Sequence, residues 1–190
     1  YLALSFISSF RLRQLNLNRT ISDNLNESRR LTYLENAIVL IEDRRFYRHK
    51  GIDIVGVARA IMNNIASRRI EGASTITQQL VRVVTESREL SLSRKIIEIL
   101  HAVQIEKIYS KNQIIQAYIR LYQFQNGNDL HRLCELENYE ITNLGYEECV
   151  ELAARFKYPS INRMNYTRYL KRVRTIKILA DREERAVLTK

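Results

Sequence analysis

The sequence contains few residues that interrupt a helix. Its 190 residues include only five Gly and one Pro, the two residue types least compatible with a helix interior. Segments in which polar and apolar residues alternate, as expected for a half-buried strand, are scarce. Hydrophobic residues make up 45% of the chain, enough for a core at this length. The sequence therefore predicts a mainly α fold.

Cysteine is also rare. The two cysteines, Cys134 and Cys149, do not have the spacing of a metal site, and no His accompanies them as a further ligand. Both a disulfide and two buried thiols are compatible with this pattern. Neither alternative indicates a function.

The N-terminal apolar stretch is short. Residues 1–7 are mostly apolar and are followed by Arg11 and Arg13, whereas a transmembrane helix needs about 20 apolar residues. The stretch is either the end of a membrane anchor or an amphipathic helix that lies on a membrane or packs on the domain. Residues 14–31 are polar and rich in Asn, which predicts a linker or surface segment. We expect residues 1–30 to be membrane-proximal and residues 31–190 to form the main domain.

Basic residues outnumber acidic ones in this chain. The chain has 31 Lys and Arg against 21 Asp and Glu, a formal net charge of +10. This excess favours nucleic acid, acidic phospholipid or a pyrophosphate substrate as partner, although a basic protein without an anionic partner has the same composition. The basic residues alternate with acidic ones instead of forming one stripe, which disfavours nucleic acid.

Periodic apolar residues and capping patterns locate the helices. Thr75 with Gln78, and Ser110 with Gln113, match the capping-box pattern that begins a helix. Together with the helical spacing of apolar residues, they predict helices over 31–41, 54–65, 147–158 and 166–184, and others that begin near residues 76, 92 and 111.

Three segments combine residues that suit one chemistry: 42–51, 72–80 and 94–98. Each alone has a simple structural explanation, namely a surface ion-pair cluster, a helix cap and an i,i+4 pair. Together they offer a helix N-terminus and cations for a phosphate group, and carboxylates for proton transfer. Glycosyl transfer from a sugar pyrophosphate needs a base for the attacking hydroxyl and cations for the departing pyrophosphate.

The same segments resemble the first three conserved blocks of the family 51 glycosyltransferases. These are the peptidoglycan polymerase domains of class A penicillin-binding proteins and the monofunctional transglycosylases. Residues 42–51 match the block EDRxFxxHxG, residues 72–80 read GASTITQQL as in the family, and the segment that begins at Arg94 follows the third block. The resemblance covers about residues 31–122.

The resemblance implies a lysozyme-like helical large lobe with a smaller membrane-facing jaw lobe, residues 31–190 being the glycosyltransferase domain. It implies polymerisation of lipid II into β-1,4 glycan strands, with the growing lipid-linked glycan as donor and release of undecaprenyl pyrophosphate. The implied location is the bacterial cytoplasmic membrane, with the catalytic domain on the periplasmic or extracellular side. A divalent metal (Mg or Mn) and other cell-wall synthesis proteins are implied partners, and nucleic acid is not.

The site residues carry over position by position. Glu42 corresponds to the general base, and Glu98 to a second carboxylate that assists through a divalent metal or the pyrophosphate site. The positions that line the donor and acceptor sites of the family are Asp43, Arg45, Arg59, Ser74, Gln78, Gln79, Arg82, Arg94 and Lys95. We expect Glu42 and Glu98 to converge on a positively charged cleft.

The sequence departs from the family pattern at several positions. Arg82 replaces the usual lysine, Leu90 stands where an arginine is expected although Arg88 is near, and the fourth block is reduced to residues 124–130. One alternative is therefore a catalytically weak relative that binds lipid-linked glycan and regulates cell-wall assembly. A lysozyme-like hydrolase and a nucleic-acid binder are further alternatives.

Overall fold

A computed structural model describes residues 2–23, 25, 32–67, 72–86, 91–125, 144–158 and 162–188. The described helices are α1 (Leu2–Asp23), α2 (Thr32–Glu42), α3 (Ile54–Ser67), α4 (Ile76–Thr85), α5 (Leu92–Ile108), α6 (Lys111–Gln125), α7 (Tyr146–Arg155) and α8 (Tyr166–Leu188), with a 3-10 turn at Phe46–Arg48. These ranges contain no β-strand, so the predicted mainly α fold is confirmed.

The chain divides into two compact units. Unit 1 comprises Tyr1–Ser28 and Arg45–Leu121, and unit 2 comprises Arg29–Arg44 and Tyr122–Lys190. Unit 1 therefore holds α1, α3, α4, α5 and most of α6, while unit 2 holds α2, α7 and α8. The lysozyme-like arrangement, the jaw lobe and the membrane-proximal role of residues 1–30 stay predictions.

The core of unit 1 is built around α4. This helix packs against α5 on one side and α1 on the other. Ile76 and Leu80 of α4 are completely buried, as are Ile105 of α5 and Ile21 of α1. Burial of such side chains contributes about 1.5–3 kcal/mol each. This packing holds α4 and α5, which carry six of the eleven predicted site residues.

The prediction of a linker over residues 14–31 is wrong for residues 14–23, which continue α1. Leu17 and Ile21 lie one turn apart and are buried, so contacts with α4 outweigh the low helix propensity of the Asn residues between them. Gln14 Nε2 also donates a hydrogen bond of 3.0 Å to Asn18 Oδ1 along the helix. Of residues 24–31, only Leu25 is described.

The predicted helix caps are confirmed. Thr75 Oγ1 accepts a hydrogen bond from Gln78 N at 3.2 Å. Ser110 and Gln113 cap each other reciprocally, with Gln113 N donating to Ser110 Oγ at 3.3 Å and Ser110 N donating to Gln113 Oε1 at 2.9 Å. Ser91, which was not predicted as a cap, accepts from Arg94 N at 3.2 Å and begins α5.

Unit 2 is formed by α2 packed on α7 and α8. Leu34 and Ile38 of α2 are buried, together with Val150 of α7 and Ile176 of α8. Cys149 is a buried free thiol in α7, whereas Cys134 lies outside the described residues. The apolar face of α2 thus anchors the helix whose last residue is Glu42.

The apolar stripe of α3 lies on the surface of unit 1. Ile54, Ile61, Met62 and Ile65 are all more than half exposed, whereas Gly56 and Ala60 are buried. The small residues therefore face the unit, and the large ones face solvent. No helix in the described part of the chain has both the length and the apolar character needed to cross a bilayer.

Candidate active site

Glu98 of α5 is the centre of a cluster of cations in unit 1. Its side chain is 3% exposed. Arg82 Nη2 of α4 donates to Glu98 Oε1 at 2.8 Å, and Arg94 Nη1 donates to Oε2 at 3.0 Å from one turn earlier in α5. Lys95 Nζ lies 3.7 Å from Oε2. We call these three cations and Glu98 the cation cluster. Its net charge is positive, because three cations surround a single carboxylate.

Lys95 connects the cation cluster to the Gly-Ser-Thr segment. Its Nζ donates to Ser74 Oγ at 2.9 Å and to Gln78 Oε1 at 2.7 Å. Burial is the main cause that lowers the pKa of Lys95, with Arg82 and Arg94 acting in the same direction and Glu98 opposing them. Ser74 and Gln78 are therefore joined through Lys95 to the ion pairs of Glu98 with Arg82 and Arg94.

Gly51, the last residue of the first motif, fixes the start of α4. Its carbonyl oxygen accepts hydrogen bonds from Thr75 Oγ1 and Gln78 Nε2, both at 2.9 Å. It adopts a φ of 87°, and a Cβ at this position would lie 2.8 Å from the backbone carbonyl carbon of Ala102 in α5. A side chain is therefore excluded, which explains the glycine at the end of this motif.

A cavity of about 240 Å³ opens beside the cation cluster within unit 1. Its wall includes Arg82, Arg94 and Glu98, and also Arg13 of α1 and His101 of α5. The Nε atoms of Arg82 and Arg94 are buried without a hydrogen-bond partner. An anion in the cavity would lie beside guanidinium groups that Glu98 already orients.

His101 joins α1 to the wall of this cavity. Its ring stacks on Phe10 with a centroid distance of 4.1 Å and an interplanar angle of 7°, and His101 Nδ1 lies 2.7 Å from Gln14 Oε1. Because that amide oxygen can only accept, Nδ1 carries the proton. Burial, and secondarily the charge of Arg13, lower the pKa of His101 to about 4. The ring is therefore neutral at physiological pH.

We expect this buried imidazole to make unit 1 less stable in acid. The pKa of His101 is lower in the folded protein, about 4, than its ordinary value of 6.5, so the unfolded chain binds more protons between these values. The free energy of unfolding should therefore fall as the pH falls from 6.5 to 4. In the His101→Gln variant, the difference in unfolding free energy between pH 7 and pH 4.5 should shrink by about 1–3 kcal/mol.

Urea unfolding of both proteins at the two pH values measures this difference. The charged groups that line the same cavity as the ring (Arg13 of α1, Arg82 of α4, Arg94 and Glu98 of α5) are present in both proteins, so the comparison isolates the effect of His101. An equal acid destabilisation of wild type and variant would contradict the assignment of a neutral His101.

Three other predicted site residues of unit 1 lie outside the cation cluster. Arg45 Nε donates to Asp53 Oδ1 at 3.0 Å. Burial opposes ionisation of Asp53, but the Gly56 N–H and Arg45 outweigh it and lower the pKa of this carboxyl. Gln79 Oε1 accepts from Tyr118 Oη at 3.0 Å, and Arg59 is exposed on α3.

Glu42 and Asp43 belong to unit 2. Glu42 is the last residue of α2, as predicted, and its Oε1 accepts from Arg172 Nη2 of α8. Asp43 is buried, and its backbone N–H donates to Val39 O at 2.9 Å. The Arg172 guanidinium orients the Glu42 carboxylate. That Glu42 and Glu98 share one cleft stays a prediction.

The surroundings of Glu98 do not fit a divalent metal. Glu98 is a single carboxylate paired with three cations, whereas Mg²⁺ and Mn²⁺ sites are built from several oxygen ligands. No group of three or more His, Cys, Asp or Glu could hold a metal ion in the described ranges. The arrangement therefore suits an anion.

Sequence reasoning missed three residues around these groups: Arg13, His101 and Arg172. In the sequence, Arg13 is only one of the charges that follow an apolar stretch, and Arg172 is only one residue of a predicted helix. Local pattern carries no signal for either role, since Arg172 lies 130 residues from its partner Glu42. Arg88 and Leu90, and most of the fourth block, lie outside the described residues.

A helical chain with a buried carboxylate surrounded by cations, next to a Gly-Ser-Thr helix N-terminus, has the features of a phosphate-handling transferase. The profile of the Transglycosylase family matches residues 12–182. The chain belongs to this family.

Several curated relatives support this membership. A monofunctional glycosyltransferase of Staphylococcus epidermidis is 34% identical over 154 residues, which are 75% of this chain and 57% of the relative. Penicillin-binding protein 4 of Bacillus subtilis is 49% identical over 87 residues, which are 45% of this chain and 14% of the relative. Penicillin-binding protein 1A of Neisseria gonorrhoeae is 38% identical over 130 residues, 67% of this chain and 16% of the relative. The chain thus spans from about a seventh to less than two thirds of these relatives.

Proposed function

We propose that this protein is an inverting peptidoglycan glycosyltransferase that polymerises lipid II into β-1,4 glycan strands. The observation that carries the proposal is the cation cluster, in which Arg82, Arg94 and Lys95 are held around Glu98. Family membership and the monofunctional glycosyltransferase among the relatives support the same reaction.

In the proposed reaction, Glu42 is the general base. Its carboxylate takes the proton from the 4-hydroxyl of the N-acetylglucosamine of lipid II, and that oxygen attacks C1 of the donor's N-acetylmuramic acid. The new C1–O bond forms as the bond from C1 to the pyrophosphate oxygen breaks, so the configuration changes from α to β. Orientation of the Glu42 carboxylate by Arg172 supports this role, because a base must point at the proton it removes.

The cation cluster is proposed to stabilise the departing undecaprenyl pyrophosphate. Negative charge develops on the bridging oxygen as the C1–O bond breaks, and preoriented guanidinium groups stabilise such charge more strongly than water does. Glu98 has the role of orienting Arg82 and Arg94. Ser74 and Gln78 position Lys95 through its two hydrogen bonds.

Incubation of the purified chain with lipid II tests the function directly. Polymeric glycan, resolved by gel electrophoresis and digested by a muramidase, is the expected product. Binding of lipid II without polymer would favour the regulatory alternative, and release of soluble fragments from finished peptidoglycan would favour a hydrolase. Either of these outcomes overturns the proposal.

The exposed apolar face of α3 is proposed to rest on the membrane that carries this substrate. The undecaprenyl chain keeps lipid II in the bacterial cytoplasmic membrane, so the domain must work at that surface, on the periplasmic or extracellular side. Ile61, Met62 and Ile65 are exposed on α3, and Arg59 on the same helix is also exposed. Apolar side chains accompanied by cations are typical of a helix that lies on an anionic bilayer.

The two methionines of the chain offer a matched test. Met62 of α3 is 70% exposed and Met164, in unit 2, is 91% exposed. We expect Met62→Asp to weaken binding to phosphatidylglycerol-containing vesicles by about tenfold or more, because it removes an inserted apolar side chain and adds a negative charge. Met164→Asp should leave it within about twofold, as measured by vesicle co-sedimentation. Equal effects of both substitutions would contradict the placement of α3.

A further inference from the structure

The cavity beside the cation cluster has one wall that the proposed reaction does not use. This wall is α1, which contributes Arg13. Arg13 and Thr85 also line an adjoining cavity of about 360 Å³ in the same unit. The guanidinium of Arg13 is therefore next to the space that Arg82 and Arg94 face.

Contacts on both sides of Arg13 fix its position. Phe10, three residues earlier, stacks on His101, and Gln14, the next residue, accepts a hydrogen bond from His101 Nδ1. Further along α1, Tyr109 Oη donates to the backbone oxygen of Asn18 at 2.8 Å. Arg13 is thus carried by a backbone that is tethered to α5 before and after it.

The charge of Arg13 is not neutralised. No carboxylate forms an ion pair with it in the described ranges. His101, on which the charge of Arg13 acts, is neutral at physiological pH. The cavity wall therefore has three guanidinium groups, those of Arg13, Arg82 and Arg94, against the single carboxylate of Glu98. A wall with this excess attracts an anion with more than one charge.

The size of the cavity limits the ligand. Pockets for whole small-molecule ligands measure about 300–1,000 Å³, and this cavity measures about 240 Å³. Its volume suits a pyrophosphate group better than a whole lipid-linked sugar. Arg82 and Arg94 line the cavity, and guanidinium groups are well suited to bind phosphate oxygens.

We propose that Arg13 is a further substrate-binding residue, which contacts a pyrophosphate group held between α1 and the cation cluster. The inference rests on the proposed function in one respect, namely that the cation cluster binds a pyrophosphate group. It makes α1 part of the binding site, held in place through Phe10, Gln14 and His101. The pyrophosphate is either free or attached to a lipid-linked sugar, and the two sources require separate measurements.

The test compares Arg13→Gln with Arg11→Gln in the full chain. Arg11, like Arg13, is an exposed cation of α1, but it does not line either cavity. We expect Arg13→Gln to weaken binding of inorganic pyrophosphate about tenfold by calorimetry, since a charge-assisted hydrogen bond contributes about 1.5–3 kcal/mol. Arg13→Lys should recover part of the loss, and Arg11→Gln should bind as wild type does. Equal melting temperatures confirm that the variants fold.

A second arm measures polymerisation of lipid II by the same variants. A raised KM for lipid II with unchanged binding of inorganic pyrophosphate would support contact with the lipid-linked group alone. Unchanged behaviour of Arg13→Gln in both arms would overturn the inference. Arg82→Ala separates this result from failure of the proposed function: if Arg82→Ala also leaves pyrophosphate binding unchanged, the cation cluster does not bind pyrophosphate at all.

Discussion

Replacement of Glu42 by Gln is expected to abolish measurable glycan polymerisation. An amide cannot take up the proton of the attacking hydroxyl, and loss of a positioned general base costs about 10²–10⁴-fold in rate. The amide oxygen can still accept the hydrogen bond from Arg172, so the end of α2 should keep its structure. The initial rate of polymer formation from lipid II measures the effect, and lipid II binding should be largely retained.

Glu147 provides the matched control for this substitution. It pairs with Lys177 in the same unit, but its side chain is 64% exposed. Glu147→Gln therefore removes the same charge from another ion pair of unit 2, and exposed pairs contribute less than about 1 kcal/mol. The control should polymerise lipid II at the wild-type rate. Turnover retained by Glu42→Gln would refute Glu42 as the base.

The Glu98→Gln substitution is expected to lower the polymerisation rate by about 10²-fold or more. The Glu98 carboxylate accepts one hydrogen bond from Arg82 and another from Arg94. A Gln amide presents its NH₂ group to one of these guanidinium donors, so that donor loses its acceptor and moves. The cation cluster would keep its charge but lose the geometry that stabilises a departing pyrophosphate. The rate of polymerisation at saturating lipid II measures this loss.

A substitution at Glu106 separates loss of folding stability from loss of polymerisation rate. Glu106 lies two turns further along α5, its side chain is also 3% exposed, and it pairs with Lys111 at 2.7 Å. It also accepts a hydrogen bond from Thr77. Both Gln variants should lose about 1–3 kcal/mol of unfolding free energy, yet Glu106→Gln should keep its activity. Equal losses of activity would show that Glu98 acts only through stability.

Much of the local structure could be predicted from the sequence. Helices over α2, α3 and α8 follow from the spacing of apolar residues, and the starts of α4 and α6 follow from caps at Thr75 and Ser110. Such signals depend on residues three or four positions apart, so they are readable in the chain itself. The resemblance also named Ser74, Gln78, Arg82, Arg94, Lys95 and Glu98, which the structure joins through hydrogen bonds and ion pairs.

Periodicity could not predict which side of a helix is buried in three dimensions. The apolar stripes of α2 and α3 look alike in sequence, yet the α2 stripe is core and the α3 stripe is exposed. The Asn-rich part of α1 was wrongly predicted as a linker because its helical state depends on Leu17 and Ile21 packing against α4. Long-range burial decides these cases, and it leaves no mark in the local pattern.

The sequence alone determined the mainly α fold, the helix starts and the residue types that suit pyrophosphate chemistry, because each depends on composition or on neighbours within one helical turn. Only the tertiary structure decided that Arg82 meets Glu98 across 16 residues, that Arg172 pairs with Glu42 across 130, and that Arg13 lines the same cavity as Arg82 and Arg94. Contacts between helices arise from packing, and packing is a property of the whole folded unit.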